Sequence, residues 1–194
     1  MSPDAGDAGA PARQPDRLAR LWAGWRLPYL ESSATEGSGD DGGGEDGGQE
    51  ACVFCRILAS DSPPDETYLV WRDDRCAVVL NAYPYTSGHL MVMPVRHAGD
   101  LTSLDAEEAA RLWQVVGEAV VALREAYQPE GLNVGANMGR AAGAGVPGHF
   151  HVHCVPRWNG DTNFMTTLAE TRVLPEALPS TFERLRAVWR APRP

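Results

Sequence analysis

The chain has 194 residues, 43% of them hydrophobic, which is enough for one globular domain with a core plus extensions. All 17 basic residues are arginine, which excludes a Schiff-base lysine and a P-loop lysine. The formal net charge is -9, but seven acidic residues and no basic ones fall in 31–50, leaving 51–194 nearly balanced and without a broad nucleic-acid-binding face.

Residues 1–14 are small and polar and are expected to be disordered. In the short segment 15–33, Leu18, Leu21, Trp22 and Trp25 recur at helical spacing, with Asp16 as a possible cap. That predicts a short helix that docks on the main body or on a second subunit. Residues 34–50 are rich in Gly, Asp and Glu and read as a flexible linker. There is no apolar signal core near the start and no run of 18 apolar residues, so a cytoplasmic protein with no membrane association is expected.

The compact domain is expected over 51–194. Residues 67–73 and 75–84 read as strands around a tight Asp73-Asp74 turn, and 87–97 as a third strand ended by Pro94. A long helix is predicted over 102–127, capped by Ser103 or Asp105 and stopped by Pro129 and Gly131. Its buried stripe would be Leu112, Val115, Val116, Ala119, Val120 and Leu123. Strands follow at 131–139 and 149–158, then a last helix near 179–190. The pattern predicts an α+β fold: an antiparallel sheet of about five strands with a long helix between strands and a C-terminal helix.

Three of the five histidines, His149, His151 and His153, alternate along the last predicted strand and would share one face, with Phe150, Val152 and Val155 turned toward the core. Desolvating three titratable rings without purpose is costly, so the row points to chemistry. Cys52 and Cys55 have C-x-x-C spacing, which serves zinc or a redox couple; the βαβ context of a redox site is absent. His149 and His97 are the candidates to complete a Cys₂His₂ zinc set. A closed zinc site does no chemistry, so His151 and His153 would face substrate. A neutral imidazole can attack phosphorus at pH 7 without a separate base. Cys76 and Cys154 read as buried small residues, and Arg157 and Trp158 as structural.

The stretch "HFHVHCVPR" resembles the signature of the HIT (histidine triad) family. Upstream, "LNAYPYTSGHLMVMPVRH" and "NVGANMG" stand in the spacing of the same family. The flanks "RLWAGWRLPYL" and "PRWNGDTNFM" look like the bacterial branch related to diadenosine tetraphosphate phosphorylase. The resemblance implies a HIT-like fold and a nucleotidyl transferase or hydrolase acting on dinucleoside polyphosphates. His151 would be the nucleophile, with His153 contacting phosphate and supporting it. His89 and Asn137 would lie near the nucleotide phosphates and Asn81 at the ribose. The resemblance also implies Cys52, Cys55, His97 and His149 as zinc ligands, an adenine nucleotide as partner, and a homodimer. The loop "GAGVPGH" departs from the family in lacking Gln and a hydroxyl, so phosphate contacts there would come from the backbone N–H groups of Gly145 and Val146 in a nest-like arrangement, with Arg140 or Asn163 as side-chain candidates. Other activities compatible with the same residues are adenosine phosphoramidate hydrolysis and non-catalytic nucleotide binding on a zinc-stabilised module.

Overall fold

The structure, a computed structural model, describes residues 48–161 and 176–189. The expected N-terminal disorder, the helical segment 15–33, most of the acidic linker and Asn163 lie outside the described residues. After one helical turn at Gly48–Ala51 come α1 (Val53–Ala59) and α2 (Pro64–Thr67). The sheet and the long helix follow: β1 (Leu69–Arg72), β2 (Cys76–Leu80), β3 (Leu90–Pro94), α3 (Ala106–Tyr127), β4 (Gly131–Gly135), β5 (Val152–Arg157) and finally α4 (Leu178–Val188). The five strands form one sheet in the order β1-β2-β3-β5-β4, and every neighbouring pair is antiparallel. Among the described residues no helix is long and apolar enough to cross a membrane.

β2 ("CAVVL") and β3 ("LMVMP") are apolar at every position because both faces of the sheet are covered there. Alternate residues serve two separate cores. On one face Val78, Leu80, Leu90 and Val92 pack with Leu112, Val115, Val116, Ala119 and Leu123 of α3 and with Phe182 and Leu185 of α4. On the other, Ala77, Val79, Met91 and Met93 pack with Cys52, Phe54, Cys55 and Leu58 of the first helical segment.

Sequence reasoning found neither α1, only seven residues long and with a mixed apolar pattern, nor the four-residue α2. The long helix starts later than expected. Leu101–Ser103 is a 3₁₀ turn, and Asp105, not Ser103, caps α3 in a reciprocal box with Glu108. Ala122 rather than Val120 joins the buried stripe. The helix ends at Tyr127; the N–H of its C-cap, Gln128, still reaches the Arg124 carbonyl, and the left-handed backbone of Gln128 (φ 46) then turns the chain out of the helix.

The strands are shorter than expected. β4 ends at Gly135, and β5 begins only at Val152, so His149 and His151 precede the ladder. The Phe150 N–H is taken by the Ala98 carbonyl at 2.6 Å, a contact outside the sheet. The core face of this segment is Phe150, Val152 and Cys154, whereas Val155 has the parity of the histidines, contrary to expectation.

Candidate active site and metal cluster

The site is built on the sheet face opposite α3. β3 delivers His89 at its start and His97 just past its end, and the approach to β5 delivers the three alternating histidines. Gly88, with φ +83, makes the turn into His89. α1 brings Cys52 as its N-cap residue and Cys55 in its first turn.

Cys52, Cys55, His97 and His149 converge, with their ligand atoms all within 4.8 Å of one another. Cys52 Sγ is 3.4 Å and Cys55 Sγ 3.5 Å from His149 Nδ1, and Cys55 Sγ is 3.2 Å from His97 Nδ1. A tetrahedral ion with ordinary zinc–sulfur and zinc–nitrogen bonds separates such atoms by about 3.5 Å. His149 Nε2 donates to the Pro94 carbonyl at 2.8 Å, which fixes its proton there and leaves Nδ1 a lone pair aimed into the cluster. The donor set and its outer hydrogen bond therefore fit zinc. The C-x-x-C does open a helix, as a redox pair would, but no strand precedes it among the described residues, and its sulfurs face imidazoles.

The other two triad histidines are turned away from this cluster. His151 Nδ1 donates to the His149 carbonyl at 2.8 Å, so Nε2 of the neutral ring carries the lone pair. The ring is buried at 4% exposure, with Phe54 edge-on at 5.1 Å. Burial pushes its pKa down against the weaker pull of that carbonyl, which keeps the ring neutral at pH 7. His153 lies next to it, ring centroids 4.9 Å apart. Burial, and secondly the charge of His151, push His153 down to about 4.

A chain of hydrogen bonds sets the tautomer of His153. The Tyr85 N–H donates to His89 Nδ1 at 3.2 Å, so the His89 proton sits on Nε2. That group lies 2.9 Å from His153 Nδ1 and donates to it, which leaves the His153 proton on Nε2. The Tyr85 ring covers both, 4.6 Å from His89 and stacked 6.1 Å from His153. Asn81 reaches the same network, with Nδ2 3.4 Å from His89 Nδ1 and Oδ1 accepting the Tyr83 N–H.

Around these, the placement is mixed. Asn137 braces the glycine loop, donating to the Gly143 carbonyl at 3.4 Å. The left-handed backbone of that loop falls on Gly139 and Gly143, not on Gly145, and the N–H groups of Ala142, Gly143 and Ala144 are bonded within the loop. The expected nest at Gly145 and Val146 therefore lacks its alternating backbone; Gly145 is exposed, and Val146 packs against the α1 cluster. Arg140 is exposed. Arg157 pairs with Asp161 and donates to Asn133, and Trp158 lies edge-on to Tyr127, so both pack structurally as expected. Burial pushes the Cys76 and Cys154 thiols up to about 12. Sequence reasoning missed Phe54 and Tyr85. The aromatic inside the C-x-x-C and the tyrosine four residues before His89 were the available signals.

A family model described as the HIT domain matches residues 64–160. The chain belongs to the HIT (histidine triad) family. This HIT protein is 35% identical over 176 residues to a protein named AP-4-A phosphorylase from Mycobacterium tuberculosis, covering 91% of this chain and 87% of that one. The match to a protein named hit from Bacillus subtilis is shorter, 32% identical over 59% of this chain and 77% of that one. Among solved structures, a Zn-bound histidine triad family protein from Mycobacterium smegmatis superposes with a TM-score of 0.59 at 34% identity, over 73% of this chain and 95% of that one.

Proposed function

We propose that this HIT protein is a nucleotidyl transferase that cleaves dinucleoside polyphosphates, diadenosine tetraphosphate foremost, with inorganic phosphate as acceptor. The observation that carries the reading is the bond from His151 Nδ1 to the His149 carbonyl, which commits the Nε2 lone pair to attack. Nε2 of His151 bonds to the α-phosphorus of one adenylate while the bond to the bridging oxygen breaks and ATP departs. The ring is then an imidazolium whose Nδ1–H stays on the His149 carbonyl. His153 donates its Nε2–H to a phosphate oxygen, where negative charge grows. An oxygen of inorganic phosphate then displaces His151 from phosphorus, which restores the neutral ring and releases ADP.

In this reading Asn81 binds ribose, His89 orients His153, and Asn137, which braces the glycine loop, lies along the phosphates. Cys52, Cys55, His97 and His149 would hold zinc. The ion, when bound, would supply structure only, because four protein ligands leave no open position for substrate. The extent of similarity supports the choice of substrate: the match to the phosphorylase-named relative extends well beyond the matched HIT segment. A homodimer joined through β4 is part of the proposal, supported by the place of that strand at the sheet edge among the described residues and by exposed Val134, Trp113 and Val121. A cytoplasmic location would keep the ligand thiols reduced.

The test is intact mass spectrometry after brief exposure to diadenosine tetraphosphate. The wild-type chain should gain the mass of one AMP, and His151→Ala should not. Adding inorganic phosphate should discharge the adduct as ADP; AMP as the sole product at every phosphate concentration would make the enzyme a hydrolase instead. No adduct and no turnover, with nucleotide binding intact in both forms, would leave only a binding module.

A further inference from the structure

The histidine network faces away from α3 and α4, yet a set of contacts at one end of the sheet joins it to both helices. Tyr127, the last residue of α3, lays its ring against Gly88. A methyl group added at Gly88 would stand 2.8 Å from Tyr127 Cε2 and 3.2 Å from Pro156 Cγ, so this backbone is clamped between two rings. The next residue is His89, buried at 1% exposure. Its N–H donates to the Thr86 carbonyl at 3.3 Å, and the Thr86 hydroxyl donates to the Pro156 carbonyl at 2.8 Å.

The Tyr127 ring is itself tethered. Its hydroxyl donates to Glu176 Oε2 at 2.5 Å. Glu176 also accepts from the Thr181 hydroxyl at 3.0 Å and from Arg184 Nε at 2.9 Å, both on α4. The Arg184 guanidinium lies 5.3 Å from the Tyr127 ring centroid. Glu176, Thr181 and Arg184 all fall beyond residue 160, outside the segment that the family model matches.

We infer that Tyr127 and Glu176 are positioning residues: through Gly88 they hold the His89 ring where its Nε2–H reaches His153, which makes α4 part of the catalytic apparatus. The proposal rests on the roles given above to His151 and His153. The distance at stake is small. The His89–His153 bond is 2.9 Å long, and a slip of well under 1 Å takes it past hydrogen-bonding range, freeing His153 to exchange tautomers.

Three variants test it. Tyr127→Phe keeps the ring on Gly88 and removes the hydroxyl, Glu176→Ala removes the acceptor, and Glu176→Gln keeps one acceptor oxygen as the conservative rescue. The readouts are long-range ¹H–¹⁵N spectra of the histidine rings, which separate the two tautomers, and kcat and KM for diadenosine tetraphosphate. Tyr127→Phe and Glu176→Ala should show mixed tautomers at His153 and lose roughly tenfold in kcat with KM little changed. Glu176→Gln should recover most of both. Unaltered His153 signals in the first two variants overturn the proposal whatever happens to kcat or Tm, and leave a clasp that only stabilises. A tautomer change with unchanged kcat upholds the positioning and counts instead against the role given to His153.

Discussion

His149 Nδ1 points into the Cys₂His₂ cluster while the carbonyl of the same residue accepts the His151 Nδ1–H at 2.8 Å. One residue thus links the candidate metal cluster to the ring that we propose as nucleophile, through its side chain on one side and its main chain on the other. Loss of the ion would remove a constraint on the segment that orients His151.

Removing a ligand should therefore affect more than stability. Cys55→Ser is expected to weaken zinc binding at the proposed site by about tenfold or more and to lower both Tm and kcat. Metal content by atomic emission, thermal unfolding and steady-state kinetics on the same preparation check this. A variant that loses its zinc but keeps full kcat would uncouple the two sites.

His89 makes no bond to the reacting phosphorus in the proposed reaction, so its truncation should leave KM little changed. His89→Ala removes the group that fixes the His153 proton on Nε2. We expect kcat to drop by about 10². A rise in KM at constant kcat would mean that His89 binds substrate instead.

Acid should destabilise the folded chain early. His153 has an ordinary pKa of 6.5 when unfolded and about 4 when folded, so between those values the unfolded chain binds a proton that the folded one refuses. The stability contributed by the neutral ring is complete above pH 6.5 and is lost as pH falls toward 4, at most about 3 kcal/mol in all. Urea unfolding of wild type and His153→Gln at pH 7 and pH 5 measures it. The wild type should lose more stability between the two pH values; equal losses would remove His153 as the cause.

Asp105 and Glu108 exchange backbone bonds of 2.8 and 3.0 Å at the start of α3. Asp105→Ala should cost about 1 kcal/mol, a few degrees in Tm. Turnover at low temperature should be unchanged, because the substitution leaves the Glu108 carboxylate its bonds to Arg96, the neighbour of His97.

Much of this was legible in the sequence because it depends on spacing. Alternation placed the core partners Phe150 and Val152, and the C-x-x-C with five histidines led to the four residues that do converge. The strand ends were not legible. At the Val152 end the Ala98 carbonyl takes the Phe150 N–H before the ladder begins, and no local pattern encodes such a contact. The same limit hid the tautomers. They depend on carbonyls and amides from Pro94, His149 and Tyr85, whose side-chain identities say nothing about where their main-chain atoms will lie. The glycine loop misled for a related reason: composition announced a turn without saying which glycine would carry the left-handed backbone.

Val78 and Val79 are adjacent in the chain, yet one packs beneath α3 and the other beside the helix that brings Cys52 and Cys55. Two neighbouring codons thus answer to different demands. Enlarging the first strains the scaffold, while enlarging the second moves a ligand-bearing wall, so the two sides of this β-strand are free to diversify at independent rates.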